Sequence, residues 1–142
     1  MSYVVRHKWF VFLECCKLGV PLRGLLHDLS KFLPDEWLPY AKYFYSDIDC
    51  EDIFDLAWLK HQSRNKHHWQ YWILCKDSGE TKVLPMPLKY AKEMLADWRG
   101  AGRAITGSDN TLKWYRENRH KMVLHSLTRA WIENKLGDWD IP

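Results

Sequence analysis

The chain has 142 residues, 21 Lys and Arg against 18 Asp and Glu, a formal charge of +3, and an aromatic excess that includes nine Trp and seven Tyr. That length predicts one domain, 1–142, burying roughly 70% of its unfolded surface. The mild charge leaves out a dedicated nucleic-acid binder while still allowing a phosphorylated small molecule. The apolar run Trp9 to Leu13 is cut by Glu14 and Lys17, well short of the ~20 residues of a membrane span. No cleavage-site pattern follows it, so a soluble cytoplasmic protein is expected. Cys15, Cys16, Cys50 and Cys75 form no C-x-x-C pair. Free thiols packed as small apolar groups are expected of them in a reducing compartment.

In chain order, Tyr3 to Leu18 reads as a helix apolar on most sides, hence a buried one, ended by Gly19 and Pro21. Pro21 opens a second helix that carries Leu22, Leu25 and Leu26 into the adjacent pair His27-Asp28. Leu33-Pro34-Asp35-Glu36 marks a break and a third helix running to about Tyr45, with acidic residues in its first turn. Asp49 to Glu51 reads as a turn and cap, and Asp52 to about Gln62 as a fourth helix. The run from His61 to Trp69 either continues that helix or bends into a loop before a helical Trp69–Trp72 segment. Residues 73–84 read as a small hairpin around Asp77-Ser78-Gly79-Glu80. A strong helix follows from Leu88 to about Arg99, ending near Gly100 and Gly102. A last long helix runs from Thr111 to Lys135, capped by Ser108-Asp109-Asn110 and ended by Gly137. The predicted class is all-α, a bundle of five to seven helices with one small hairpin. Trp69, Trp72, Trp98 and Trp114 are assigned to the core.

The ligand-type side chains are spread over these helices: His7, His27-Asp28, His61 with His67 and His68, then Asp97. A carboxylate beside an imidazole in an apolar segment is costly unless a cation or a hydrogen-bond network compensates. Each residue alone is unremarkable, but the ordered set points to a metal site. Imidazole and carboxylate donors without thiolate suit Fe, Mn, Zn or Mg, in one or two ions. Lys31 stands one turn beyond Asp28. Arg64, Asn65 and Lys66 flank the His cluster and, with Arg99 and Arg103, are candidates for binding an anionic substrate. His120 and His125 fall outside the pattern.

Through His7, His27-Asp28-Leu29-Ser30-Lys31, His61-x6-His68-Trp69 and Glu93-Met94-Leu95-Ala96-Asp97-Trp98, the chain resembles the HD-domain superfamily of metal-dependent phosphohydrolases, and within it small HD-like proteins of bacteria and their phages. The resemblance spans nearly the whole chain. It implies a helical bundle in which His7, His27, Asp28 and Asp97 bind one metal. It further implies that His61 and His68, or His67 in place of His68, bind a second ion bridged by Asp28. Catalysis would rest on Asp28 and Lys31, with metal-activated water attacking a phosphate ester held by Lys31, Arg64, Lys66 and Arg99. A nucleotide is the leading substrate class. The alternatives are a di-iron oxygenase of the HD kind and a non-catalytic nucleotide- or partner-binding protein. The aromatic excess also suggests an apolar surface that a second copy could cover.

Overall fold

The structure, a computed structural model, describes residues 3–45 and 50–137. It is all-α with one small hairpin. The helices are α1 (Tyr3–Lys17), α2 (Pro21–Leu26), α3 (Pro34–Tyr45), α4 (Glu51–Arg64), α5 (Leu88–Thr106), α6 (Thr111–Asn118) and α7 (Ser126–Leu136), with short 3-10 turns at Leu29–Phe32, Trp69–Trp72 and Arg119–Lys121. Strands β1 (Ile73–Cys75) and β2 (Thr81–Val83) pair antiparallel, with Leu74 opposite Lys82. Their turn is closed by Gly79 N–H donating to the Lys76 carbonyl at 2.8 Å. The expected cap at Asp49 lies outside the described residues, and Cys50 precedes α4 with no side-chain cap bond.

The centre of the fold is the crossing of α1 and α5. Gly100 meets Val11 there so closely that an added Cβ would sit 2.8 Å from the Val11 amide nitrogen. On one side of the crossing His7 meets Asp97, and on the other Glu14 meets Arg99 and Arg103. Gly24 of α2 approaches α1 from another side, where a Cβ would lie 2.9 Å from Phe12 Cα. The apolar core continues from α5 into the C-terminal helices through Met86, Ala91, Met94, Leu95, Tyr115, Met122 and Ile132. Trp69, Trp72 and Trp98 pack against it, whereas Trp114, also expected in the core, is exposed beside the Trp98 ring.

Three further sequence expectations are corrected. First, α1 is buried only along the stripe His7, Val11, Glu14 and Cys15, while Tyr3, Val4, Val5 and Trp9 are exposed. Its neighbours α2 and α5 cover one side of it, so its wide apolar surface is not matched by wide burial. Second, α5 passes through Gly100 and Gly102 and stops at Gly107, because Gly100 is needed for the close crossing rather than for a stop. Third, the last long helix is two helices. The chain turns at Arg119–Lys121, buries Met122, and restarts where the His125 side chain accepts from Leu127 N–H. Folding back lets Tyr115 donate to Glu133 at 2.9 Å and Arg129 donate to both the Tyr115 hydroxyl (3.0 Å) and the Met122 carbonyl (2.8 Å). No described helix is long and apolar enough to cross a membrane.

Candidate metal centre

The site is assembled from four places in the chain. α1 contributes His7, the end of α2 contributes His27 and Asp28, α4 and its following loop contribute His61, His67 and His68, and α5 contributes Asp97. Asp28 is the one described non-glycine residue with positive φ, at 54°. Aspartate tolerates this left-handed region better than most residues, at a cost of order 1 kcal/mol. The turn it makes between α2 and the following 3-10 segment aims Asp28 and His27 at the same space. After Arg64, α4 stops and the chain bends at Asn65. The bend brings His67 and His68 in together, so both join the site rather than either one.

Three donor groups result: His7, His27 and Asp97; His27, Asp28 and His67; and Asp28, His61 and His68. Asp28 Oδ1 lies 3.4 Å from His61 Nε2 and 3.4 Å from His67 Nε2, and Asp28 Oδ2 lies 3.4 Å from His27 Nε2. Asp97 Oδ1 is 3.4 Å from His27 Nε2 and 3.1 Å from His7 Nε2. Donors at the corners of a tetrahedron ~2.1 Å from its centre stand ~3.4 Å apart. The burial is decisive. The Nε2 atoms of His27, His61, His67 and His68 and Oδ1 of Asp28 are buried with no hydrogen-bond partner. Each such orphan costs about 1–3 kcal/mol unless something pairs with it, and divalent cations held by these donor groups would pair with them. The residues therefore fit a metal ion.

Two buried glutamates, given no role in the sequence reading, support the rings from behind. Glu93 Oε1 lies 3.2 Å from Nδ1 of both His27 and His67, while its Oε2 accepts from Arg23 Nε at 2.7 Å. Glu36 Oε2 lies 2.8 Å from His61 Nδ1 and accepts from Ser30 Oγ, and its Oε1 accepts from Arg64 Nη1 at 2.8 Å. Asn65 ties the same corner by donating to Ser30 Oγ (2.6 Å) and the His61 carbonyl (2.9 Å). Glu36 resembles an ordinary first-turn acidic residue, so nothing in the sequence marks it. Glu93 carried a faint signal, standing one turn before Asp97 in an otherwise apolar stretch.

The electrostatics follow from this crowding. Burial disfavours the His27 imidazolium, but Asp28, Asp97 and Glu93 outweigh it and push its pKa up to about 10. Burial also works against the Asp28 and Asp97 carboxylates, yet His27 and its neighbours hold both well below the usual range. Glu93, against its burial, is held down to about 2 by His27 and His67. Burial pushes His68 down to about 3. Lys31 Nζ sits 2.7 Å from Asp28 Oδ2, a third exposed, and that carboxylate keeps it charged despite burial.

The expected anion-binding residues are placed differently from one another. Lys31 lines a cleft at the site with Tyr3, Val4, Lys8 and Phe32. Arg64 is instead engaged by Asp35 (3.0 and 2.7 Å) and Glu36. Arg99 lies on the other side of α5, 3.7 Å from both Glu14 and Asp109, and Arg103 joins it on Glu14. Lys66 lies over the Tyr71 ring. Being near His61 or Asp97 in sequence does not aim these long side chains inward. Arg99, two residues past Asp97, points about 160° away around α5. Arg64 shares the His61 face of α4 but its guanidinium reaches Asp35 and Glu36, and Lys66 lies beyond the end of α4. His120 is exposed and His125 caps α7.

Fold and site define an all-α protein with a buried pocket of histidines and carboxylates suited to divalent metal. The chain belongs to the family of unknown function DUF5662, which it matches over residues 1–138. No curated protein and no solved structure matches it.

Proposed function

We propose that this chain is a metal-dependent phosphohydrolase of the HD kind, acting on a phosphate ester of a small molecule, with nucleotides the first class to try. The observation carrying the reading is the set of unpaired buried donors on His27, Asp28, His61, His67 and His68, facing one another beside a charged lysine. A divalent ion held there would supply an acidified water near neutral pH and positive charge against the phosphoryl oxygens. Asp28 stands at the junction of the donor groups, with Oδ1 toward His61 and His67 and Oδ2 toward His27 and Lys31. Lys31 offers its ammonium to a phosphate entering from the cleft. That cleft holds about 40 Å³, enough for a few waters and a phosphoryl group's edge but not a nucleoside. The remainder of the substrate therefore lies outside, across the exposed rings of Tyr3 and Phe32. The four free cysteines fit a reducing cytoplasmic setting. Exposed Leu38, Phe44, Leu56 and Leu59 on α3 and α4 favour a homodimer.

The test is turnover of nucleotides, p-nitrophenyl phosphate and bis-p-nitrophenyl phosphate by protein loaded with Mn²⁺, Zn²⁺ or Fe²⁺. Ester hydrolysis that Asp28→Asn abolishes is expected, and no turnover with any of the metals would overturn the reading. A second reading, a di-iron oxygenase, draws on the two donor groups His7-His27-Asp97 and Asp28-His61-His68, which share no residue. Oxygen consumption by the ferrous-loaded protein without ester hydrolysis would favour it. Tight nucleotide binding that survives metal removal, without turnover, would favour a non-catalytic binder.

A further inference from the structure

We propose that Glu93 and Glu36 divide the pocket into two separately tuned metal positions, Glu93 governing the one built on His27 and Glu36 the one built on His61. The inference rests on the reading that the pocket holds divalent ions. Both glutamates are fully enclosed, Glu93 at 1% exposure and Glu36 at 0%. A buried carboxylate is expensive unless it is paired, and each is paired on both sides. An arginine from a distant part of the chain anchors one oxygen: Arg23 on Glu93 and Arg64 on Glu36. The other oxygen faces imidazole Nδ1 atoms: His27 and His67 for Glu93, His61 for Glu36.

This Arg–Glu–His chain has a chemical consequence. A carboxylate at Nδ1 draws the ring proton to that nitrogen, leaving the lone pair on Nε2 and making it a stronger donor. In all three rings Nε2 is buried without a partner. At Nδ1, His27 and His61 are hydrogen-bonded to their glutamates, while His67 Nδ1 lies 3.2 Å from Glu93 Oε1 without hydrogen-bond geometry. The two chains do not overlap. Glu93 reaches His27 of the His7-His27-Asp97 group and His67 beside it, while Glu36 reaches only His61 of the Asp28-His61-His68 group. Arg64 thus stands behind the site, fixing the carboxylate that fixes a ligand, which accounts for its absence from the substrate side.

The experiment is a titration of chelator-treated protein with Co²⁺ and with Zn²⁺, read by calorimetry and, for Co²⁺, by visible absorption. Wild type is expected to take up two ions per chain. Glu93→Gln should weaken one ion by 10- to 100-fold and leave the other, and Glu36→Gln should do the reverse. The Co²⁺ spectrum left by Glu93→Gln should match that left by His7→Ala, and the one left by Glu36→Gln that of His61→Ala. Glu93→Asp keeps the charge and should recover part of the lost affinity. It also serves as the substitute should circular dichroism show that Glu93→Gln does not fold. Unchanged affinities in both variants, or equal weakening of both ions by each variant, would overturn the inference while leaving a metal-binding pocket. A single ion in wild type would overturn it too, and a wild type that binds no ion would remove the functional reading itself.

Discussion

Gly100→Ala tests the link between the helix crossing and the metal centre. In an isolated helix this change gains about 1 kcal/mol, since Ala is the better helix former. Here the new Cβ would sit 2.5 Å from Val11 Cγ2, 2.8 Å from its amide nitrogen and 3.1 Å from its Cα. Two of those three atoms are backbone, so no rotamer change relieves the clash. Restoring a contact of ~3.5 Å to the amide nitrogen requires α1 to move outward by about 0.7 Å. Overpacking of this kind costs about 1–3 kcal/mol. With rigid backbone as the obstacle the upper end applies, and after the propensity gain the net loss is about 2 kcal/mol. For a chain of this size that is about 6 °C in Tm. The same displacement acts on the site, because His7 lies one turn before Val11 and Asp97 nearly one turn before Gly100. Their contact of 3.1 Å opens by an amount larger than the ±0.2 Å that metal–ligand distances tolerate. Thermal unfolding of the metal-free protein together with a Zn²⁺ titration measures both effects. A variant as stable as wild type, with Zn²⁺ affinity unchanged, would refute the reasoning.

The metal-free protein should be most stable near pH 6.5. His68, pushed down to about 3, is neutral in the fold while the unfolded chain takes a proton, so stability is lost as pH falls below 6.5. His27, pushed up to about 10, contributes stability that is complete below 6.5 and lost as pH rises through 10. Melting curves in chelator from pH 4 to 10 check this, and a flat profile would contradict it. Thiol labelling should also be selective. Alkylation with iodoacetamide at pH 8 should mark exposed Cys16 and Cys75 within minutes and spare Cys15, which is fully buried and whose thiol burial pushes up to about 12. Mass spectrometry of the digested protein reads the pattern, and rapid labelling of Cys15 would show that α1 does not pack as described.

Much of this architecture is local. Pro21 and Pro34 open helices, Gly79 closes the hairpin, Gly137 ends the last helix, and the period of apolar residues places the elements between them. His7, His27, Asp28, His61, His68 and Asp97, each unremarkable alone, stood out in the sequence only as an ordered set and through the resemblance they carry, and the structure brings them together. What the sequence hid is long-range. Glu36 and Arg64 are 28 residues apart and Arg23 and Glu93 are 70 apart, and neither pair has a signature in local composition.

The sequence by itself determined the helical class, the hairpin and the supply of imidazole and carboxylate donors, because periodicity, turn chemistry and residue type act over a few residues. Only the tertiary structure decided that His67 and His68 enter together, that Arg64 and Arg99 turn toward carboxylates outside the donor set, and that the stretch from 111 to 135 breaks in two. Those outcomes depend on which surface lies across from each side chain. That is set by the close crossing at Gly100 and by which buried charges find partners, neither of which any short stretch of chain contains.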